Sequence, residues 1–218
     1  TKRCVMTIPY NAKPFSNRSY IRDAFKEKGV DVDKEELTQC VKAVRSAMNV
    51  VVPGAMSVMK WIEQEIARAI KSGADEIRWT TPSGFNVRQR LMKYKSTIIQ
   101  TQLMGRCEIH IAGAETGVDL SHHKNATAPN LIHSLDASLL HLATTSTNFP
   151  IALIHDSVLC RATDMCTLSS LVRKTYMHLF AEHEPLTDFA LSIGAEEQPP
   201  IIGDLKPEAV IDSQYFFC

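Results

Sequence analysis

A chain of 218 residues with 44% hydrophobic and 22% charged side chains has the make-up of a folded globular protein of one to two domains, which excludes disordered, collagen-like and coiled-coil classes. Its 24 basic residues are balanced by 24 acidic ones, so contact with nucleic acid has to use local patches rather than a basic surplus. The longest apolar runs, such as 50–52 and 151–154, fall far short of the ~20 residues that cross a bilayer, and no membrane partner is expected.

The opening segment, TKRCVMTIPY, predicts the end of a helix with Val5 and Met6 on one side and Lys2, Arg3 and Tyr10 on another. Pro9 lacks an amide hydrogen and ends or kinks that helix near Tyr10, and Asn11 suits the left-handed conformation of a helix end. A second helix is expected from Ser16 to about Lys28 on Tyr20, Ala24 and Phe25, closed by Gly29. Leu37, Val41, Val44 and Met48 recur at helical spacing, as do Met56, Met59, Ile62, Ile66 and Ile70 beyond the Pro53-Gly54 break. These predict two packed helices whose methionines are core rather than ligands. Gly73 closes the second of them, and residues 79–84 read as a strand running into a turn built on Pro82 and Gly84.

Residues 95–111 predict a β-hairpin about Met104-Gly105, with Gln100, Gln102, Arg106, Glu108 and His110 outward. A polar loop from Gly113 to Thr127 is expected next, then a helix that Pro129 starts and that runs to about Thr147. Two short strands follow and meet at His155-Asp156-Ser157. Thr163 or Asp164 caps a helix that buries Leu168, Leu171, Val172, Thr175 and Leu179, and an aromatic strand over 213–218 finishes the chain. The fold class is α+β. Six cysteines at 4, 40, 107, 160, 166 and 218 have no CxxC spacing and read as reduced thiols, which points to a cytoplasmic or equivalent compartment. The chain opens on a motif at Thr1 without an initiator methionine, which reads as a fragment or one half of a split gene.

Three constellations carry chemistry. An aspartate at the apex of a tight hairpin, Asp156, projects from a rigid scaffold and can hold a divalent metal, although by itself it is an ordinary turn residue. Lys2 and Arg3 on the opening helix can neutralise a triphosphate, and Tyr10 at its end can stack on a base or sugar. His133 lies one turn into the helix after Pro129, where it can be a buried partner, a metal ligand or a contact to a sugar hydroxyl; spacing alone leaves the three open.

Five ordered motifs, Lys2-Arg3-x-Val5-Met6-Thr7-x-x-Tyr10, Trp79-x-Thr81-Pro82-x-Gly84, Pro129-Asn130-x-x-His133-Ser134-x-Asp136, His155-Asp156-Ser157 and Tyr215-Phe216-Phe217, resemble the single-subunit DNA-directed RNA polymerases of phages and organelles over nearly the whole chain. The resemblance implies the C-terminal part of a right-hand polymerase: residues 1–128 in the fingers and 129–218 in the palm. It implies template-directed nucleotidyl transfer by a two-metal mechanism with Mg²⁺. Lys2 would act on the incoming triphosphate as charge stabiliser and proton donor, and Arg3 would be a second phosphate contact. Tyr10 would discriminate ribo- from deoxyribonucleotides, His133 would sense the 2′-hydroxyl, His155 would belong to the substrate-binding set, and Asp156 would bind metal. The hairpin over 95–111 would read promoter bases in the major groove, with Gln100, Gln102, Glu108 and His110 as candidate readers. The aromatic C-terminus would pack near the metal site. Partners implied are DNA template and promoter, RNA product, nucleoside triphosphates and an N-terminal portion of the polymerase. The compartment implied is host cytoplasm, or a mitochondrial or plastid matrix.

The sequence also departs from that pattern. The second metal-binding aspartate of the family lies upstream of Thr1, and so does an arginine four residues before Lys2. Asp136, on the helix beside His133, takes a structural role in the family rather than the missing carboxylate's. Asn11 stands where the family has glycine, and Pro9 is unusual in that helix. Two other readings are a fragment of a family A DNA polymerase and a non-catalytic segment that binds nucleic acid or another subunit.

Overall fold

A computed structural model describes residues 2–10, 12–102, 107–201 and 203–216, with backbone only at positions 9, 110 and 112. The chain is α+β, with three separate two-stranded antiparallel sheets set among helices. Helix α1 (Lys2–Thr7) tightens into a 3₁₀ turn at Ile8–Tyr10, as expected where Pro9 supplies no amide donor. The expected faces of α1 are corrected: Val5 and Met6 are 42% and 57% exposed, while Cys4 and Ile8, four residues apart, are buried. Cysteine packs there as a small hydrophobe, which a search for aliphatic residues overlooks.

Helix α2 (Pro14–Glu27) ends where Gly29 takes φ 69°, and α3 (Lys34–Val51) starts on a capping box between Asp33 and Glu36. Cys4, Ile8, Ile21, Leu37, Val41 and Met48 form one core among α1, α2 and α3. Pro53 opens α4 (Pro53–Lys71), whose Trp61, Ile62 and Ile66 pack against Trp79, Leu131 and Phe189 in a second core. Strands β1 (Ile77–Thr80) and β2 (Asn86–Gln89) pair around the Pro82–Gly84 turn.

Strands β3 (Met92–Thr101) and β4 (Cys107–Val118) form a longer hairpin than expected, irregular in register around Tyr94 and exposed along most of its length. Met104, Gly105 and Arg106, at its expected turn, lie outside the described residues, as does Asn11. The expected polar loop over 113–127 does not exist. Residues 113–118 continue β4, and α5 (Leu120–Thr145) begins at Leu120, with Pro129 inside it rather than at its start. Asp119 caps that helix through the His122 amide at 2.9 Å. Pro129 removes only the bond to the carbonyl of Asn125, an exposed residue where water can replace it.

Strands β5 (Ile151–Ile154) and β6 (Ser157–Cys160) make the two-residue hairpin expected at His155-Asp156. Helix α6 (Met165–Glu182) buries Leu168, Val172 and Leu179; Asp164 sits at its N-cap, but its carboxylate pairs with Arg161 instead of capping. Helix α7 (Pro185–Ile193) follows. Residues 213–216 are not a strand: Tyr215 is 86% exposed, and Phe216 packs on Tyr176 of α6 at 5.0 Å and under Arg173, in a core cluster that also takes in Val158 and Cys160 of β6. Phe217 and Cys218 lie outside the described residues.

Candidate functional site

Three elements distant in sequence converge. The 3₁₀ turn after α1 brings the Tyr10 ring to 5.0 Å from the His133 ring on α5, tilted by 35°. One turn further along α5 stands Asp136, and the β5–β6 hairpin presents Asp156 close enough for its charge to reach both Tyr10 and Asp136. Burial, then the fields of Asp136 and Asp156, raise the Tyr10 phenol above its ordinary value. At neutral pH it therefore keeps its hydrogen-bond donor. Burial also raises Asp136; His133 acts against that and Asp156 adds to it. The two carboxylates therefore sense each other beside the aromatic pair.

Asp156 itself is exposed, and so are Lys2, Arg3, His133 and His155. His155 takes φ 56° at the first position of the two-residue turn, a conformation that costs a non-glycine residue about 1–2 kcal/mol. Glycine is the usual occupant of such a turn, so a histidine held there is strain kept at the tip that carries Asp156.

The scaffold under this group is polar and specific. Trp79 donates from Nε1 to Ser134 Oγ at 3.0 Å, and Ser83 donates to Ser138 Oγ at 3.2 Å, which docks the β1–β2 turn on the helix that carries His133. Trp79 is wedged edge-on against Phe189, 5.7 Å between ring centres. A second set joins the buried Gln89, His123 and Thr127 a few residues upstream on α5, with the exposed Asn130 donating to Gln89. Sequence reading missed this set, because residues 119–127 look like loop when only apolar spacing is counted. The available signal was polar: His123 and Thr127 are four apart and both fully buried.

Along the β3–β4 hairpin, Gln100 pairs with Glu108 in register, and its amide donates to the Glu108 carboxylate at 3.2 Å. Gln102 is exposed just beyond β3. His110 pairs with Ile98 through the backbone, and its side chain lies outside the described residues. Exposed apolar residues occupy both faces of this hairpin, Ile98 on one and Ile99, Ile109 and Ile111 on the other.

Among the described residues no group of three or more His, Cys, Asp or Glu is placed to hold a metal. Asp156, exposed at the β5–β6 tip, is the oxygen donor this chain offers. A single carboxylate fits Mg²⁺, which binds through one or two protein carboxylates together with water and substrate phosphate. Among the described residues no helix is long and apolar enough to cross a membrane.

Comparison with known proteins gives a consistent result. Residues 1–197 match the family described as DNA-dependent RNA polymerase. The chain is 28% identical over 226 residues to the DNA-directed RNA polymerase of Pseudomonas phage phiKMV, covering 100% of this chain and 28% of that protein. It is 31% identical to DNA-directed RNA polymerase 2A of Nicotiana tabacum over 99% of this chain and 68% of that protein. To the chloroplastic/mitochondrial DNA-directed RNA polymerase 2 of Nicotiana sylvestris it is also 31% identical, over 99% of this chain and 22% of that protein. The chain thus spans about a quarter of the phage relative's length and of this last plant relative's length.

Proposed function

The chain belongs to the DNA-dependent RNA polymerase family, and on that premise we propose that it supplies one side of an RNA-synthesising site, where the RNA 3′-hydroxyl attacks the α-phosphate of a nucleoside triphosphate and pyrophosphate leaves. The observation that carries this reading is the stacking of Tyr10 on His133 within the field of Asp156. A ring pair walled by a carboxylate suits a ribose: His133 offers a ring nitrogen to the 2′-hydroxyl, while the protonated Tyr10 phenol borders the same position. Lys2 and Arg3 meet the triphosphate, and Lys2 gives a proton to the departing pyrophosphate. His155, held at the tip beside Asp156, contacts the substrate. Asp156 holds Mg²⁺, which when bound supplies charge neutralisation on the phosphates.

The partner carboxylate comes from the upstream portion of the polymerase, as the family resemblance implies, and Asp136 stays a neighbour of His133. The other partners are DNA template, promoter and RNA product. Gln100, Gln102, Glu108 and His110 on the β3–β4 hairpin read base edges in the major groove. Residues 1–128 act as fingers and 129–218 as palm, with α5 running across that division. The compartment is the one that holds the DNA: host cytoplasm for a phage enzyme, the organelle matrix for an organellar one.

Promoter-dependent RNA synthesis is expected when this chain is combined with the upstream portion found in its relatives, and none from this chain alone; synthesis by the isolated chain would overturn the proposal. In the combined enzyme, Asp156→Asn is expected to abolish synthesis and leave DNA binding intact. Retained synthesis would favour a segment that only binds nucleic acid.

A further inference from the structure

The β3–β4 hairpin is fixed to the rest of the chain mainly at its root, because β3 and β4 pack extensively only on each other among the described elements. Leu91 is the residue from which the hairpin springs, between β2 and β3, and both of its backbone polar groups end on the start of α5. Its amide donates to His123 Nε2 at 3.1 Å, and its carbonyl accepts the Asp119 amide at 2.9 Å. His123 is fully buried, and its other ring nitrogen lies 3.2 Å from the Gln89 side-chain amide. Gln89 in turn bonds Thr127 at 2.8 Å and accepts from Asn130 at 2.7 Å, one turn before His133. Nearby, Arg90 and Glu115 form a two-pronged ion pair, but that pair closes the hairpin on itself rather than on the helix.

From this geometry we propose that His123 is a positioning residue: it pins the root of the β3–β4 hairpin to α5 and thereby sets where duplex DNA held by the hairpin lies relative to the Tyr10–His133 pair. The inference rests on the DNA-reading role given to the hairpin above.

A ten-residue strand is about 33 Å long, so a swing of about 10° at the root moves the tip by about 6 Å. Consecutive base pairs are only ~3.4 Å apart, so such a swing loses the register of reading. A neutral imidazole is required, since Nε2 must keep a lone pair for the Leu91 amide. Burial pushes His123 below its ordinary value and neighbouring His122 pushes it further, with Asp119 opposing. From the β2–β3 side it faces the uncharged Gln89 and the Leu91 backbone.

The test uses His123→Leu, which lacks the acceptor, and His123→Gln, whose side-chain carbonyl can replace it. Amide hydrogen exchange in this chain is read at Leu91 against Ile66 of the α4 core. In His123→Leu, Leu91 should exchange about ten-fold faster, the size of one lost hydrogen bond, with Ile66 unchanged and with His123→Gln near wild type. Should the Leu variant unfold, pH gives the second test. Wild-type Leu91 exchange, corrected for intrinsic rate, should rise below about pH 6.5, and His123→Gln should not follow. Leu91 exchange that ignores both the substitution and pH would overturn the pinning itself, whatever the hairpin binds.

In the combined polymerase, His123→Leu should lower initiation on promoter duplex about ten-fold while extension of a preformed RNA primer stays near wild type, and His123→Gln should restore initiation. Equal loss of both activities, or no loss of initiation, would overturn the link to DNA placement. If instead the wild-type enzyme extends primers and ignores promoter sequence, the DNA-reading role of the hairpin fails, and with it that link, while the exchange data still decide the pinning.

Discussion

At Tyr10 the ring and the hydroxyl do separate jobs. The ring stacks on His133, and the hydroxyl, kept protonated by burial and by two nearby carboxylates, can meet a sugar edge. Tyr10→Phe keeps the first and removes the second. In the combined polymerase this variant is expected to incorporate ribonucleotides within a few-fold of wild type and deoxyribonucleotides about ten-fold more readily, since one hydrogen bond's selectivity is lost. Competition between a ribonucleotide and its deoxy analogue measures it; unchanged sugar preference would remove Tyr10 from the pocket. Tyr10, His133 and Asp156, which the structure brings together, could each be singled out in the sequence because each sits in a motif with fixed neighbours; Lys2 was singled out in the same way, and the structure gives it an exposed position on α1. The company of Asp136 was not legible, because its relation to Asp156 crosses from α5 to a hairpin and exists only in three dimensions.

At the scale of elements, legibility followed the apolar pattern. Helices α3 and α4 bury Leu37, Val41, Met48, Ile62 and Ile66 of the residues that recur at helical spacing, whereas α2 buries Asn17 and Ile21 rather than Tyr20, Ala24 and Phe25, and the β5–β6 hairpin is short enough for its turn to be read directly. The start of α5 was hidden because its inward positions are His123 and Thr127, polar groups satisfied by one another and by Gln89, so that periodicity found nothing to count. Pro129 then offered a false beginning. The aromatic tail misled in the opposite way: its residues favour strands, yet Phe216 finds a better partner on α6. The join between β1 and α5 makes a direct test of this packing. Trp79→Phe removes the donor to Ser134 and leaves most of the buried ring, so it should cost about 1 kcal/mol in urea denaturation. A cost near zero would mean that the indole nitrogen does not hold the β1–β2 turn on the helix.

For the whole molecule, two buried groups contribute to how stability responds to acid. Burial works against the charge on Glu65, but its hydrogen bonds from Arg68 and the Glu196 amide prevail and hold its carboxyl below the usual 4.5. Its contribution is complete above that value and is lost as the pH falls through its lowered folded value. His123, lowered from 6.5, is neutral in the fold, and its contribution is present above pH 6.5 and is lost as protonation of the unfolded chain takes over below it. Unfolding free energy should therefore decline in two stages on acidification, the first near neutrality and absent from His123→Gln, the second below pH 4.5. Urea titrations across that range test it, and a single late decline would contradict the role of His123.

The central claim is that Asp156 holds a divalent cation against the Tyr10–His133 pair. Mn²⁺ added to this chain should broaden the ring proton resonances of Tyr10 and His133 before those of Trp61, whose indole is buried in the α4 core, and Asp156→Asn should abolish that preference. Broadening that spares the two rings, or that persists in Asp156→Asn, would contradict the claim.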